Sequence, residues 1–452
     1  MLRLAIRAEA RAGGGLPIST VPKGKGIMRM ITCVLLITAV GLLALPCWGE
    51  DPKTEPIAAV SVKAFGAKAD GVTDDTAAFQ KALDSAKAKG GIVLAPAGAY
   101  HIAGFLEVPE GVTLRGVWEA PHHSAIGQGT LLLATGGRGD DKGKPLIHLA
   151  ENSCARGLTI IYPKQRLEEI ASYPWTVLGE GMHCSVIDVT LVNSYRGIKM
   201  LGELHYIRGV YGCPLVVGIA VDGCTDIGRI EDVHFNPHYW VRAKHPCAPA
   251  AADSKKLFDY LRQNLVGFRL GRTDWEYMFN CFVILAKIGF HFIHTDAGDP
   301  NVVLTQCGSD VGETAVQVDA CQGHAGVAFV NSQIMARVIV GPDNHGPVKF
   351  TNCGFWPVEE TENQALLQGH QTTTFIGCHF WDWGMKNDQA PCILAAKGAL
   401  IVTGCEFVAA KPQIRLEEPV LSAVISSNRF RNDIRITNNS KGDVQIGLNT
   451  KQ

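Results

Sequence analysis

One seven-residue motif recurs along this chain, as FTNCGFW at 350–356, FIGCHFW at 375–381 and VTGCEFV at 402–408. Looser copies bring the number of occurrences to twelve, and the third residues of these motifs are Gly116, Gly157, Asp188, Gly209, Asp232, Asn280, Gln306, Asn331, Asn352, Gly377, Gly404 and Ser427. From residue 280 onward, the steps between these positions are 26, 25, 21, 25, 27 and 23 residues. A period in the twenties is typical of solenoids, in which each repeat buries its face only against its neighbours.

Each repeat reads as a strand, a one-residue kink and a second strand, because apolar residues alternate on both sides of the kink. Gly, Asn and Asp tolerate the left-handed backbone that such a kink requires. The pattern predicts an all-β, single-stranded parallel β-helix of twelve coils, stacked at about 4.8 Å. Equivalent side chains then form two inward columns, which are Cys281, Cys307, Cys353, Cys378 and Cys405, and Phe235, Phe355, Phe380, Phe407 and Phe430.

The composition agrees with a turn-rich β protein. Charged residues make up 19% of the 452 residues, and 49 residues are glycine. The formal net charge of −1 argues against nucleic acid as a partner, since no bulk basic field is present. Of the 14 cysteines, none forms a CxxC pair, so the cysteine column is interpreted as buried thiols that pack as small hydrophobic groups.

The N-terminus carries an export signal. Lys23, Lys25 and Arg29 precede the apolar run ITCVLLITAVGLLAL at 31–45. This run is shorter than the roughly 18–20 residues that a membrane span needs, so residues 1–49 are interpreted as a signal-peptide region. We therefore expect a secreted or periplasmic protein with no stable membrane span after signal cleavage.

The remaining chain, 55–452, is predicted to be one β-helix domain with a loop insertion at 236–266. Met28 is an alternative start of translation, because residues before it are unusual for a signal. A lipoprotein anchor at Cys47 is a rival interpretation of the signal, and Pro46 immediately before it is a poor match.

Three N-terminal segments carry a family resemblance. They are VSVKAFGAKADGVTDDTAAFQKAL at 60–83, GGIVLAPAGAYHI at 90–102 and LEVPEGVTLRG at 106–116. They resemble the N-terminal signature of the pectate-lyase superfamily, which polygalacturonases, rhamnogalacturonase-like proteins and phage tail-spikes share. The resemblance implies a right-handed parallel β-helix and is much less specific for activity.

Part of this signature is predicted to cap the β-helix. Asp70 and Gly71 form a turn, and Thr73 or Asp74 caps a helix. The apolar residues of that helix lie on one face, which covers the open end of the first coil: Phe79, Leu83 and Ala86. Asp74 and Asp75 are accordingly interpreted as capping residues.

The chain departs from the polygalacturonase pattern, whose catalytic signatures NTD, DD, GHG and RIK do not occur in order. The nearest fragments are 323–325, reading GHA, and 197–199, reading GIK. No catalytic residue is transferred from that family.

A second repeat lies upstream of the kinks, as GIKM, GIAV, GFRL, GFHF and AVQV. Its outward residues are Lys199, Ala220, Arg269, His291 and Gln317. Stacked on one sheet face, the cationic members would favour an anionic ligand. The alternative is an ordinary solvated face.

Three coils carry a Thr-Asp pair at a corner, in CTDIG, RTDWE and HTDAG. If the register holds, Asp226, Asp274 and Asp296 form a carboxylate ladder, in which charge repulsion raises one pKa as a general acid requires. Neighbouring coils would separate carboxylates by about 5 Å and alternate coils by about 10 Å, which does not decide between retention and inversion. A purely structural corner and a calcium site are the alternatives.

The spacing of 48 residues between the kinks at 232 and 280 marks an insertion at this location. Its segment DSKKLFDYLRQN is predicted to be a helix capped by Asp253 or Ser254. Long insertions in solenoids often form binding loops. Aromatic residues of the insertion are therefore predicted to form a wall on one side of the carboxylate ladder: Tyr239 and Trp240, with His238. On later coils, Trp356, Trp381 and Trp383 are interpreted as packing residues, with a sugar subsite as the alternative.

The preferred hypothesis is a glycoside hydrolase acting on an acidic polysaccharide through a carboxylate pair from Asp226, Asp274 and Asp296. The predicted substrate-binding residues are Lys199, Arg269, Arg272, His291, His294, Tyr239 and Trp240. The alternatives are a polysaccharide lyase, in which a base removes the proton beside a uronate carboxylate, and a non-catalytic carbohydrate-binding protein. No cofactor is expected apart from Ca²⁺ as an alternative. The sugar, the linkage and the oligomeric state stay open.

Overall fold

The computed structural model describes residues 59–118, 125–358 and 361–451, so the expected signal region lies outside the described residues. Within them, parallel strands stack into two sheets that share one core. The straight sheet has thirteen strands: Leu106–Val108, Ile147–Leu149, Trp175–Gly179, Arg196–Met200, Val217–Val221, Val266–Leu270, Ile288–Phe292, Thr314–Val318, Arg337–Val340, Ala365–Leu367, Ile393–Ala395, Ile414–Leu416 and Ile436–Asn438.

The second sheet contains the kinks and is called the bent sheet. Its 25 strands are Ala59–Ser61, Asp70–Asp74, Gly91–Leu94, Gly98–Ile102, Val112–Arg115, Thr130–Ala134, Cys154–Ile161, Ser185–Leu191, Tyr206–Gly212, Gly228–Phe235, Thr273–Ile284, Pro300–Thr305, Gly308–Asp310, Val327–Val330, Gln333–Ile334, Val348–Thr351, Gly354–Phe355, Thr372–Ile376, His379–Phe380, Gly398–Thr403, Glu406–Phe407, Val420–Ser426, Arg429–Phe430, Asp443–Gly447 and Thr450–Lys451. The predicted fold class, an all-β parallel β-helix with an N-terminal capping helix, is confirmed.

The kinks lie where the repeat predicts them. Eleven of the twelve predicted kink residues have a left-handed backbone, with φ between 50° and 69°. Gly116 is the exception, and glycine is required there because a Cβ atom would lie 2.2 Å from the carbonyl oxygen of Gly157. The pattern missed one further kink in the last coil, at Leu448 with φ 54°, because leucine does not fit the kink composition.

Both predicted inward columns are present. The rings of Phe355, Phe380, Phe407 and Phe430 stack with centroid separations of 4.6, 4.7 and 5.1 Å. Phe235 shares their register but is separated from them by Val283, Ser309 and Ile334. The five column cysteines are buried and free, and each thiol donates to a backbone carbonyl.

The predicted capping helix is Thr76–Ala86, and it buries Phe79, Ala82, Leu83 and Ala86 against the first strands. Asp74 accepts a hydrogen bond from the backbone N–H of Thr76 at 3.0 Å, as a capping residue does. Asp75 is buried and accepts from the backbone N–H groups of Lys68 and Ala69. Asp74 thus has the capping role predicted for it. The Asp75 side chain makes no capping hydrogen bond to the helix and instead holds the segment that precedes it.

The insertion contains the helices His238–Val241 and Ser254–Asn264, and short 3₁₀ turns lie at Ala251–Asp253 and, near the N-terminus, Val62–Phe65. The longer helix begins after Asp253, as predicted. Across the described ranges, the helices are too short or too polar to cross a bilayer.

Candidate functional site

The three acids of the predicted ladder are Asp226, Asp274 and Asp296, and the structure does not place them in register. Cys224 pairs with Thr273, and Thr273 pairs with Pro300 in the next coil. Cys224, Thr273 and Pro300 therefore lie directly above one another in the stack of coils. Asp226 lies two residues after Cys224 and Asp274 lies one residue after Thr273, whereas Asp296 lies four residues before Pro300. The predicted ladder is therefore wrong.

The reason lies in the corner between the two sheets, where turn lengths differ from coil to coil. The strand Thr273–Ile284 contains a bulge between Thr273 and Glu276. The following coil contains a tight turn closed by hydrogen bonds between Thr295 and Gly298. Counting residues from the preceding strand cannot detect such differences, because register is set by pairing and not by spacing through a turn.

Two of the acids lie away from any shared site. Asp226 accepts a hydrogen bond from the backbone N–H of Ile227 at 2.8 Å, so its side chain stabilises its own corner. Asp296 is exposed at the tip of the Thr295–Gly298 turn. The structural-corner alternative describes Asp226 well.

Asp274 lies in an open groove of about 450 Å³. The groove is lined by Arg272, Asp274, Trp275, Gly298, Asp299, Gln322, Gly323 and His324, which come from three consecutive coils. Arg272 Nη2 donates to Asp274 Oδ2 at 2.7 Å, and Gln322 Nε2 donates to Asp274 Oδ1 at 2.5 Å. Both carboxylate oxygens of Asp274 are thus held by donors from the protein.

A second carboxylate faces the same groove. Asp299 Oδ1 lies 2.7 Å from His294 Nδ1, and the His294 ring is largely exposed. Sequence reasoning named Arg272 and His294 but missed Asp299, Gln322 and His324. The GHA fragment at 323–325 was the available signal for His324, but nothing in the sequence placed it beside Asp274.

Trp275 lines the groove and lies in the bulge of the strand Thr273–Ile284. Its backbone is left-handed, with φ 55°, and its side chain is 53% exposed. A bulky non-glycine residue in this conformation is uncommon, and such bulges often direct a side chain at a functional site. Tyr277 and Phe279 follow on the same strand and are each 45% exposed. We call Trp275, Tyr277 and Phe279 the aromatic row.

The predicted column on the straight sheet is confirmed in its register. Lys199 pairs with Ala220, Ala220 with Arg269, Arg269 with His291, and His291 with Gln317. Arg269 is exposed, and the strand that carries it ends immediately before the turn leading to Arg272. The strand that carries Arg269 therefore leads into the corner that contains Arg272 of the groove.

His291 in this column has an acidic partner. Its Nε2 lies 2.7 Å from Asp319 Oδ2, and Gln317 donates to the same carboxylate. Partial burial of Asp319 opposes its ionisation, but these two hydrogen bonds hold the pKa of Asp319 below its usual value. The negative charge of Asp319 beside the column offsets part of the positive charge that the column was predicted to carry.

The predicted aromatic wall is wrong. Trp240 is fully buried and donates from Nε1 to the carbonyl of Cys247, and Tyr239 is 4% exposed. Tyr239 packs against Tyr211 and His234, which follow the kinks, whereas Asp274 precedes its kink. The aromatic residues of the insertion pack against the β-helix because this buries apolar area. They do so on a different face of the coil from the one that carries Asp274.

The later tryptophans divide into two kinds. Trp383 is fully buried, as the packing interpretation predicts, and donates to the carbonyl of Pro412. Trp356 and Trp381 are 41% and 56% exposed on neighbouring coils. With Gln333 and His379 they line a second groove of about 480 Å³.

One group of side chains in the described residues converges as metal ligands do, and it is not the predicted ladder. His205, Cys224 and Glu276 are buried, and their potential ligand atoms lie within 4.8 Å of one another.

Comparisons with known proteins agree with this architecture. Residues 59–131 match the family described as rhamnogalacturonase A/epimerase, pectate lyase-like. The chain is 32% identical over 151 residues to the non-secreted LysM effector LysM19 of Penicillium expansum, covering 33% of this chain and 10% of that protein. It is 51% identical over 55 residues to alginate lyase 7 of Azotobacter vinelandii, covering 12% and 6%. The matches thus span a tenth or less of these relatives.

Among solved structures, the N-terminal fragment of bacteriophage Phi29 gene product 12 superposes with a TM-score of 0.55. The sequences are 14% identical, and the match covers 86% of this chain and 72% of that fragment, so it supports the fold alone. The protein is a parallel β-helix protein with an open groove at one corner of its coils. The predicted resemblance to the pectate-lyase superfamily is confirmed by the N-terminal family match together with this fold.

Proposed function

We propose that this protein is an exported, secreted or periplasmic enzyme that degrades polysaccharides, and that it hydrolyses glycosidic bonds of an acidic, uronate-containing polymer in the Asp274 groove. One observation carries the proposal. Two carboxylates, Asp274 and Asp299, and an exposed tryptophan, Trp275, line one open groove although they come from different coils. Most glycoside hydrolases use a pair of carboxyl groups at such a site.

The two carboxylates have different surroundings, which suggests different roles. Asp274 is held by Arg272 and Gln322, so it is oriented to stabilise the positive charge that develops on the sugar or to activate water. Asp299 Oδ1 lies 2.7 Å from Nδ1 of the exposed His294, and the Asp299 side chain itself is 36% exposed. We assign Asp299 as the group that protonates the leaving oxygen. Of the acids predicted from the sequence, the proposal retains Asp274.

The surfaces around the groove suit a charged sugar chain. The aromatic row presents flat apolar faces, on which sugar rings can stack. Arg269, His291 and Lys199 lie in one column of the straight sheet, and we propose that they bind the acidic groups of the polymer.

The second groove extends this proposal to the later coils. Trp356 and Trp381 are on adjacent coils, whose strands are about 4.8 Å apart. Trp356 Nε1 donates to Gln333 Oε1 at 2.9 Å, which fixes the ring. We propose that these two rings form a distal contact for the same polymer, as the alternative interpretation of the tryptophans predicts.

A lyase is the second candidate function, and a specific observation favours it. Arg272 and His324 line the same groove, and a guanidinium that neutralises a uronate carboxylate beside an imidazole base is what β-elimination requires. The relative named alginate lyase 7 is consistent with this chemistry. In that mechanism His324 removes the proton beside the carboxylate.

A panel of acidic plant and algal glycans distinguishes these functions. New reducing ends without ultraviolet absorbance support hydrolysis, whereas unsaturated, absorbing products support the lyase. Glycan binding without either product over long incubation would exclude an enzyme and leave a carbohydrate-binding protein. The variant His324→Gln separates the two enzymes, since it should abolish elimination and only weaken hydrolysis.

A further inference from the structure

Three side chains from successive coils meet inside the β-helix: His205, Cys224 and Glu276. Each is 0% or 1% exposed. Among the charged and histidine side chains of the described residues, Asp75, His205 and Glu276 alone are buried, and Asp75 belongs to the N-terminal cap. Burying a carboxylate and an imidazole in an apolar core costs several kcal/mol unless a partner compensates them.

The potential ligand atoms of the cluster lie close together, and the Cys224 thiol also donates to the carbonyl oxygen of Asp226 at 2.9 Å. His205 Nε2 lies 3.1 Å from Glu276 Oε1, and Cys224 Sγ is within 4.8 Å of both residues' ligand atoms. A zinc ion bound at about 2.0–2.3 Å holds tetrahedral ligands roughly 3.3–3.8 Å apart. The side chains therefore need to adjust by about 1 Å at most to share one ion.

The groups behind the donors have the arrangement found around metal ligands. His205 Nδ1 lies 3.1 Å from the carbonyl oxygen of Gly202, so it donates there and leaves Nε2 directed at the cluster. Thr273 Oγ1 donates to Glu276 Oε2 at 3.0 Å and orients that carboxylate. Hydrogen bonds of this kind, from groups behind the ligands, fix the tautomer and the orientation of metal ligands.

Space for the cluster depends on one glycine. A Cβ atom at Gly228 would lie 2.1 Å from Glu276 Oε2 and 2.4 Å from His205 Cε1. Any larger residue would fill the volume that these side chains occupy. Glycine at this position thus leaves room for the buried polar side chains of His205 and Glu276.

We propose that His205, Cys224 and Glu276 bind one divalent transition-metal ion, zinc by preference, inside the β-helix. Mixed nitrogen, sulfur and oxygen donors suit Zn²⁺, whereas Ca²⁺ takes oxygen ligands alone. Binding replaces the S–H proton of Cys224 and the proton that lies between His205 Nε2 and Glu276 Oε1 by the metal. Both protons are released to solvent, and water completes the coordination.

The position gives the ion a structural role at the groove. Thr273 and Glu276 flank Asp274 and Trp275 in the same strand, at its bulge. A metal held by Glu276 would anchor this bulge from the interior while Asp274 and Trp275 face outward. The metal proposal does not depend on the proposed reaction.

The test measures metal content of the full chain purified without chelators. We expect one zinc per chain in the wild type and less than a tenth of that in Cys224→Ser. Cys213→Ser is the matched control, because Cys213 is also buried and free but lies outside the cluster, and it should keep its zinc. Exchange with Co²⁺ should give a thiolate-to-cobalt charge-transfer band in the wild type and in Cys213→Ser.

Two results would overturn the proposal. One is a folded wild-type protein that takes up no zinc from added zinc salt and shows no cobalt–thiolate band. The three side chains would then hold protons in place of a metal ion. The other is equal zinc content in Cys224→Ser and the wild type, because the ion then binds elsewhere. If Cys224→Ser does not fold, the wild-type spectrum and metal content still decide.

Discussion

Replacing Asp274 by asparagine removes one charge and turns one oxygen into a donor. The side chain of Asp274 is 16% exposed and accepts from Arg272 and Gln322 at 2.7 and 2.5 Å. In Asp274→Asn, the new amide group would face one of these donors. Losing a hydrogen bond to a charged group typically costs about 1.5–3 kcal/mol of stability.

The expected effect on turnover is larger than the effect on stability. If Asp274 stabilises charge or activates water, its loss should lower turnover by roughly 10²–10⁴-fold. At about 1.4 kcal/mol for each factor of ten, this corresponds to a barrier higher by about 3–5 kcal/mol. Binding of the polymer should be retained, since the aromatic row and the cationic column are unchanged.

Asp141 supplies a matched control. Arg196 Nη2 donates to Asp141 Oδ2 at 2.7 Å, the same distance as in the Arg272–Asp274 pair, and this pair lies outside the groove. Asp141→Asn should lose a somewhat smaller amount of stability, because Asp141 is more exposed. Its turnover should match that of the wild type.

Initial rates on the polymer found in the glycan panel, and equilibrium unfolding in guanidinium chloride, measure both quantities. Wild-type turnover by Asp274→Asn would refute the assignment of the groove. Equal loss of turnover in both variants would also refute it, because the effect would then follow from stability and not from chemistry.

Three further changes test the surrounding structure. Trp381→Ala should weaken polymer binding by about 0.5–1.5 kcal/mol, measured by affinity electrophoresis, and unchanged mobility would exclude the distal contact. Phe380→Ala should destabilise the fold by about 3–5 kcal/mol in denaturant, whereas the exposed control Ile376→Ala should change stability little. Burial opposes ionisation of Glu406, but Arg431 and a histidine hold its pKa below the usual 4.5, so its stabilisation is present above that value and is lost as pH falls through the lowered pKa. The stability difference between the wild type and Glu406→Gln should therefore shrink in acid, and a pH-independent difference would contradict the ion pair.

The fold could be predicted from the chain in detail because its signals are local. A kink at Asn352 needs a residue that tolerates φ near 55°, and the alternation around it names Cys353 and Phe355 as inward residues. The straight-sheet column from Lys199 to Gln317 followed from the same period of two. Each signal depends on a few neighbouring residues and repeats once per coil.

The candidate site was only partly predictable. Arg272, Asp274 and His294 were identified from the Thr-Asp corners, but the partners Asp299, Gln322 and His324 were not. The exposure of Trp275 and the burial of Trp240 could not be predicted either. Both are aromatic residues near the predicted site in the sequence, and only tertiary packing decides which of them is exposed. The missed His205–Glu276 contact joins residues 71 positions apart.

The sequence by itself determined the coil, its period, its kinks and its inward columns, because these depend on backbone tolerance and on alternation within each repeat. The tertiary structure decided which corner residues meet. Turns between the two sheets differ in length, so the bulge at Thr273–Glu276 and the turn at Thr295–Gly298 shift side chains by whole residues. A shift of one residue moves a side chain to the other face of a strand, and strand pairing alone sets that shift.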